Sequence, residues 1–289
     1  MAAIVSALKG VLSSLFGSRK RILIPFLVAA FAELLLIGVL WLAPQAPFSK
    51  LLVPPIKYFY GERVVHYPWH IWFLYYAMKH TYVAAALVIG AFMSGVACAM
   101  VRQDAERQPV SMRSVLASKQ VRYRTVVWLW LCIWAMGKLL GEGLGRAHFA
   151  SAAVSFGVGV IATVLLQMLL AYAIPLAVFQ RTGWVRALTG SVREALRYPF
   201  STLLVIAVPS AVVIAFSVLA HPTMVMEWSK DTRPELALAF AGGRLVLWTL
   251  ADAMLTIGIA SLWWAHHGTL GAHATTSTAS ASQEGPARA

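Results

Sequence analysis

The sequence predicts an all-α membrane protein with six transmembrane helices in three helix-pair repeats, each led by a basic amphipathic interfacial helix. Composition indicates the class: 60% of the residues are hydrophobic and 12% are charged, whereas soluble domains carry roughly 25% charged residues. The apolar stretches are continuous rather than alternating, which favours spanning helices over barrel strands because a spanning segment must satisfy its own backbone hydrogen bonds. Three basic segments, each placed directly before an apolar stretch, indicate the repeat.

The first basic segment, residues 4–20, has the pattern of an amphipathic helix. Its apolar residues recur at helical spacing, and the opposite face is predicted to hold Ser6, Lys9, Ser13 and Ser14. Segments 110–124 and 184–197 repeat this pattern. A basic amphipathic helix of this kind lies in the headgroup plane of a bilayer. We therefore expect three such helices, each leading into an odd-numbered span.

The long apolar stretches give the spans, and composition gives the segments outside them. Residues 44–70 contain five prolines and many aromatic residues, which predicts an ordered cap at the outer membrane surface, where Tyr and Trp concentrate. Residues 268–289 are mostly small and polar, which predicts a disordered cytoplasmic tail. The spanning domain is therefore residues 1–267, with spans at about 22–43, 71–101, 125–140, 149–179, 199–220 and 235–266.

The distribution of Lys and Arg predicts the orientation. Of the 24 basic residues, 15 lie on the side that holds both termini and 7 lie on the other side. Because cytoplasmic loops of membrane proteins carry an excess of Lys and Arg, we expect a multi-pass protein of the bacterial inner membrane with both termini in the cytoplasm. The net charge of +13 then indicates contact with anionic lipid headgroups, and nucleic acid is not an expected partner.

Two short alignments support the internal repeat. The sequence KGVL at residues 9–12 aligns with RSVL at 113–116, and VRYR at 121–124 aligns with LRYP at 196–199. Because each unit has two spans, all three units would enter the membrane with the same orientation, which is a parallel repeat. The alternative is that any cytoplasmic segment before a span is basic and amphipathic, and the sequence leaves both explanations open.

In this layout, three basic amphipathic segments each precede a helix pair. The layout resembles poorly characterised bacterial six-span inner-membrane proteins, among them the membrane domain attached to some glycerophosphodiester phosphodiesterases. The resemblance covers the first to the sixth span. No phosphodiesterase catalytic domain is present in this sequence, so the resemblance implies a family type and no activity or site residues.

Three charged residues inside predicted spans form the first candidate site. Glu33 lies in the middle of the first span and Asp252 in the middle of the sixth, and Arg244 lies two turns from Asp252. Each such charge raises the free energy of membrane insertion by at least about 2.5–3.5 kcal/mol near the bilayer centre, so a functional or structural role is expected for it. One explanation is a proton, ion or substrate path in which Glu33 and Asp252 titrate. The other is a structural pair, such as Glu33 with Arg244, that joins the first helix to the last.

Polar residues at the outer surface form the second candidate site. They lie in the cap and where the third span meets the fourth: His66, His70, Lys138, Glu142, Arg146 and His148. This outer-side cluster would suit the headgroup of a substrate. The alternative is an ordinary solvated outer turn with interfacial histidines.

No metal or cofactor is predicted. The histidines lie near the ends of the spans rather than in facing pairs inside them, where a b-type haem would be ligated, and no H-E-x-x-H or C-x-x-C motif occurs. Cys98 and Cys132 are expected to be small core residues of spans. Gly157 and Gly159 in the fourth span are expected to form a close packing face and not a nucleotide site.

Two functional hypotheses follow. The first is a non-enzymatic membrane protein that handles or senses lipid or a small hydrophobic solute, as a transporter subunit or scaffold. Its expected partners are membrane lipids and a soluble or membrane subunit. The alternative is an integral membrane enzyme of envelope lipid or glycan metabolism that uses outer-side groups such as His66, His70, Glu142 and His148. Tolerance of alanine at all four positions would exclude the enzyme.

Overall fold

A computed structural model describes residues 2–17, 19–147, 151–220, 225, 227 and 235–281. Within these residues all regular structure is helical. Six helical stretches are long and apolar enough to cross a membrane: Lys20–Trp41, His80–Ala105, Tyr123–Arg146, Val154–Phe179, Pro199–Leu219 and Leu236–His267. The predicted all-α class with six such helices is therefore confirmed.

Most of the described chain lies in α-helices. In chain order these are α1 (Ala2–Phe16), α2 (Ile24–Trp41), α3 (Ser49–Tyr60), α4 (Trp69–Ala85), α5 (Ala91–Ala105), α6 (Met112–Ala117), α7 (Tyr123–Arg146), α8 (Ala152–Leu170), α9 (Ala173–Phe179), α10 (Trp184–Arg197), α11 (Pro199–Leu219) and α12 (Leu236–Ala281). Short 3-10 turns occur at Lys20–Leu23 and Glu62–Val65. A π-helical segment, Ala86–Gly90, joins α4 to α5 without a break.

Two helix ends lie beyond their predicted positions. α7 continues through the glycine-rich segment to Arg146, rather than ending at Leu140. In a bilayer a helix satisfies the backbone groups that a turn would leave open, so glycines alone do not end it. α12 continues to Ala281, past the predicted start of the tail at residue 268. Residues 282–289 of that tail lie outside the described part of the chain.

The helices run back and forth between two ends of the molecule. At one end, Arg19 before α2 forms an ion pair with Asp104 of α5, with 2.8 Å between Nη1 and Oδ2. At the same end, His267 of α12 lies 3.5 Å from Glu194 of α10. The short helices α1, α6 and α10 lie at this end, before α2, α7 and α11, and α3 lies at the opposite end, between α2 and α4.

The helices pack most closely near the end that holds α1, α6 and α10. A Cβ on Gly95 of α5 would lie 2.7 Å from Val121 Cγ1, and a Cβ on Gly258 of α12 would lie 2.7 Å from Val205 Cγ1. Neither position has room for a side chain, and small residues at such crossings are common where helices pack in membranes. The main cluster of buried apolar residues surrounds these contacts, so this end forms the core of the protein.

α1 packs against α12 through small residues. Ala7, Val11 and Ser14 are buried. A Cβ on Gly10 would lie 3.0 Å from Ser261 Oγ of α12. Four large apolar residues of α1 are instead exposed by 40% to 78%, namely Val5, Leu8, Leu12 and Phe16, and Leu15 is partly buried against the core. The apolar pattern of this segment therefore divides into an inward face of small residues and an outward face of large ones.

The fourth span is divided into α8 and α9 at Ala171 and Tyr172. Pro175 explains the break, because it has no N–H and its ring clashes with the carbonyl four residues earlier, that of Ala171. Ser191 of α10 bonds to the broken turn: its Oγ accepts from Tyr172 N–H at 3.0 Å and donates to the Leu169 carbonyl at 2.7 Å. Ser191 and Tyr172 are buried, so these two hydrogen bonds attach α10 to the core.

The predicted outer cap contains one regular helix, α3. Its aromatic residues Tyr58 and Phe59 are 84% and 74% exposed. After α3, Glu62 accepts a hydrogen bond from the Lys57 ammonium at 2.6 Å, which lowers the pKa of this carboxyl below its usual value. The cap therefore presents aromatic rings and charged groups together, as surfaces at the membrane–water boundary do.

Candidate functional site

Glu33 of α2 is buried in the middle of the first span, with 8% of its surface exposed. It forms no hydrogen bond or direct ion pair with another described residue. Its side chain lines a cavity of about 60 Å³ that Tyr82, Trp130 and Asp252 also line. One water needs roughly 10–15 Å³ of such space, so this cavity holds several water molecules or a compact polar group. The carboxyl of Glu33 is therefore directed at an internal space and not at a protein partner.

Asp252 of α12 and Tyr82 of α4 form the opposite part of this cavity. The Tyr82 hydroxyl lies 3.5 Å from Asp252 Oδ2, at the limit of a hydrogen bond. The Tyr82 ring meets the ring of Trp248 edge to face, with 5.1 Å between centroids. The π-helical segment begins directly after α4, four residues beyond Tyr82, and π segments are frequent at functional sites.

Arg244 lies one turn before Trp248 on α12, and its guanidinium carbon is 5.2 Å from the centroid of that ring. This is the distance of a cation–π contact. Arg244 does not form the direct ion pair with Glu33 that the structural hypothesis requires, although it is close enough to act on Glu33 electrostatically. Charged residues of the first and last spanning helices therefore lie near one another around a cavity, but they do not form a salt bridge.

Asp252 also lines a larger cavity, of about 290 Å³, between α7, α8, α11 and α12. Most of its lining residues are apolar. Gln167 and Ser210 provide polar groups, and Ser210 Oγ donates to Gln167 Oε1 at 2.9 Å. Trp248 and Asp252 line both the large and the small cavity. These two side chains are therefore common to both spaces, which adjoin there.

A third cavity, of about 640 Å³, continues toward the end of α7 and the start of α8. It shares Thr163 and Ile214 with the second cavity, so the two spaces adjoin, and we call them together the groove, which extends from Gly145 to Asp252. Gly159 lines the groove, and a Cβ on Gly157 or Gly159 would meet no atom within 4 Å. The prediction of a close packing face at these two glycines is therefore wrong.

The two cap histidines of the predicted outer-side cluster, His66 and His70, contact residues other than the charged residues of α7. His70 Nε2 is 3.2 Å from the Trp41 carbonyl oxygen. His66 lines a shallow depression with Glu62. Among the described residues, no hydrogen bond or ion pair links His66 or His70 to α7. In the structure, His70 therefore lies against Trp41, and His66 lies beside Glu62.

The α7 residues of that cluster lie on an exposed helix end. Lys138 and Glu142 are one turn apart, with 3.7 Å between Nζ and Oε1, and each is about half exposed. Arg146 ends α7 and is exposed. His148 lies outside the described residues. Exposed ion pairs of this kind contribute roughly 0–1 kcal/mol to stability, and the described side chains form no enclosed site here.

Several lining residues of the site were not identified from the sequence. Gln167 and Ser210 offered a signal, since each is a polar residue within an apolar span. Tyr82 and Trp248 offered none, because aromatic residues are abundant throughout these helices. No group of three or more His, Cys, Asp or Glu side chains that would hold a metal occurs in the described part of the chain.

The fold and the site define a class: an all-α protein with six helices able to span a membrane, a buried carboxyl cavity and an adjoining apolar groove. A scan against models of protein families, a search of curated proteins and a search of solved structures each found no match. The particular function of the chain is therefore inferred from the geometry of the site.

Proposed function

We propose that this protein binds a lipid or another small hydrophobic molecule in the groove, and that it does so as a non-enzymatic transporter subunit or scaffold. The groove is the observation that supports this proposal. Its two cavities, of about 290 and 640 Å³, lie in the range of small-molecule sites, which are mostly apolar with a few well-placed polar groups. Gln167, Ser210 and Asp252 supply such groups at one end.

The groove lies between helices that are open to a surrounding bilayer. In the third and fourth spans, only 11% of the most apolar window is buried within the protein. Lipid therefore surrounds α7 and α8 in our proposal, and a molecule dissolved in the bilayer reaches the groove sideways. Such a route requires no aqueous channel and suits a ligand that partitions into membranes.

We also propose that the chain lies in the bacterial inner membrane with both termini in the cytoplasm. The excess of Lys and Arg at one end supports this orientation. Three basic residues there follow helix ends with positive φ: Arg107, Lys119 and Arg181. Anionic headgroups are the proposed partners of this basic end, which would also offer a docking surface to a soluble subunit.

The threefold repeat belongs to the same proposal. α1, α6 and α10 precede α2, α7 and α11, and all three lie at one end of the molecule. Three units, each made of a basic leading helix and a helix pair, account for this arrangement. We also propose that the layout resembles that of the six-span membrane domains named above, and this proposal implies no activity.

Native mass spectrometry of protein extracted gently with its own lipids tests the groove. Gly137→Leu and Gly159→Leu place a side chain into the two cavities, where a Cβ meets no atom within 4 Å. Gly38→Leu is the matched control, because a Cβ on Gly38 of α2 is equally free and lies outside the groove. We expect the wild type and the Gly38 variant to retain a bound molecule that both groove variants lose.

Two results would contradict the groove proposal. One is a wild-type protein with no bound lipid or solute, and the other is equal retention in all four proteins. A soluble subunit that copurifies with every variant would identify the partner in the same spectra. The copurifying molecule, where present, also defines the ligand for direct binding assays.

Cysteine labelling tests the orientation. In a background with Cys98→Ala and Cys132→Ala, the exposed positions Lys57 and Lys119 are changed one at a time to Cys. An impermeant maleimide added to intact spheroplasts should label Lys57→Cys and should label Lys119→Cys only after lysis. The opposite pattern would invert the proposed topology and leave the groove proposal unaffected.

A further inference from the structure

We infer that the ligand of the groove is a cationic amphiphile, whose positive headgroup binds between Glu33 and Asp252 while its apolar chain lies in the groove. This inference rests on the proposed function, because it concerns the same site and names the chemical class of its ligand. Three independent features of the structure support it: the charges, the aromatic lining and the arrangement of the two spaces.

The charges around the small cavity leave an excess of acidic groups. Glu33 and Asp252 are the charged residues that line it, and Arg244 is the one basic side chain of the described residues that acts on Glu33. Arg244 lies against Trp248 rather than in an ion pair. When both carboxyls are ionised, the two carboxylates and the one guanidinium leave one negative charge without a protein partner, and a bound monocation would compensate it.

Glu33 points to a ligand independently of the acidic pair. It is more than nine-tenths buried, lacks a hydrogen-bonding partner among the described residues, and lines the cavity. Buried ionisable groups inside membrane spans ordinarily have a partner, because the apolar surroundings do not solvate them. The part of the cavity beside Glu33 is therefore the place where a cationic headgroup would lie.

Aromatic side chains complete the lining of the small cavity. Phe26, Tyr82, Trp130 and Trp248 surround the two carboxyls. Aromatic faces attract cations through their quadrupoles, and aromatic cages with acidic groups are a common solution for ammonium ligands. The contact between Arg244 and Trp248 shows that one of these rings already accepts a cation on its face.

The two spaces match the two parts of an amphiphile. Asp252 and Trp248 line both the small cavity, which holds the two carboxyls, and the large apolar cavity. A headgroup beside Asp252 would therefore have its chain directed along α7 and α8, past Thr163 and toward Gly145. A neutral lipid would fill the groove equally well but would leave the carboxyls uncompensated.

Equilibrium dialysis with the full chain in phosphatidylcholine nanodiscs tests the charge preference, with empty nanodiscs subtracted. The probes are decyltrimethylammonium and decyldimethylamine N-oxide, which have the same chain and nearly the same headgroup size but differ in net charge. We expect the cation to bind at least about tenfold more tightly. Asp252→Asn and Glu33→Gln should each remove this preference, and Glu142→Gln, a surface acid outside the site, should retain it.

The possible outcomes separate this inference from the proposed function. Equal affinity for the two probes, with both lost in Gly137→Leu, overturns the cationic ligand and leaves the groove proposal standing. A preference for the cation that survives both Asp252→Asn and Glu33→Gln also overturns the inference. Absence of binding by either probe overturns it as well, and only the native mass spectra then decide whether the groove itself holds a ligand.

Discussion

Ser191→Ala should destabilise the protein strongly, because one buried hydroxyl serves both sides of a broken helix. Its Oγ accepts from Tyr172 N–H at 3.0 Å and donates to the Leu169 carbonyl at 2.7 Å. Alanine leaves both backbone groups without these bonds at a site that is fully buried. An unsatisfied buried polar group costs about 1–3 kcal/mol, so we expect a loss of roughly 2–4 kcal/mol in unfolding free energy.

Thermal unfolding of the purified protein in one detergent, followed by circular dichroism, measures this loss. We expect a decrease in Tm of about 5–10 °C, given a shift of a few degrees per kcal/mol for a protein of this size. Thr189→Ala is the matched control, since Thr189 lies on the same helix, is exposed, and bonds only to carbonyls of its own turn. A Tm for Ser191→Ala within about 1 °C of this control, well below the shift expected per kcal/mol, would refute the account of the broken helix.

Three further predictions concern glycine contacts, backbone strain and the carboxyls. Gly258→Ala should lower the unfolding free energy by about 1–3 kcal/mol through overpacking. Gly242→Ala on the same helix has free space around it and should raise the unfolding free energy by about 0.5–1 kcal/mol. Equal Tm values for the two variants would exclude the close contact at Gly258. Arg107 has φ 58°, so Arg107→Gly should be about 1 kcal/mol more stable than Arg107→Ala, and the reverse order in thermal unfolding would exclude strain. Glu33→Gln and Asp252→Asn should leave abundance and Tm at or above wild type, because neither carboxyl is in a direct ion pair; misfolding of both would favour a structural pair.

The helical class and the number of spans could be predicted because composition and continuous apolar stretches determine them. Helix ends were harder to predict. The sequence predicts that the third span ends near residue 140, yet α7 continues through the glycines that follow to Arg146, since helix-breaking propensity matters less where no water competes for backbone groups. The break at Ala171 depends on Pro175 together with a hydroxyl from another helix, Ser191. Pro175 is visible in the local sequence, but the contribution of Ser191 is not, because it comes from another helix.

The candidate site was partly predictable for a related reason. Glu33 and Asp252 are conspicuous in the sequence because charged residues are rare and costly inside spans. Their surroundings are not conspicuous. Tyr82 and Trp248 resemble many other aromatic residues, and the groove beside them exists because α7, α8 and α11 fail to pack closely there. No local sequence pattern indicates where helices lack contacts. The sequence therefore predicts close packing at Gly159, whereas in the structure this residue lines an open space.

Two segments of α12 explain how the site is held beside the core of the protein. Near one end, Gly258 and Ser261 allow close contact with α11 and α1, which fixes the helix in place. Asp252 and Trp248 lie six and ten residues earlier than Gly258, or roughly 9 and 15 Å along the axis, and line two cavities. The close contacts at Gly258 and Ser261 fix this part of α12, so the Asp252 carboxyl keeps its position although the cavities beside it are not filled by side chains. Such an arrangement suits a binding site better than a structural contact, because a structural contact would have closed the space.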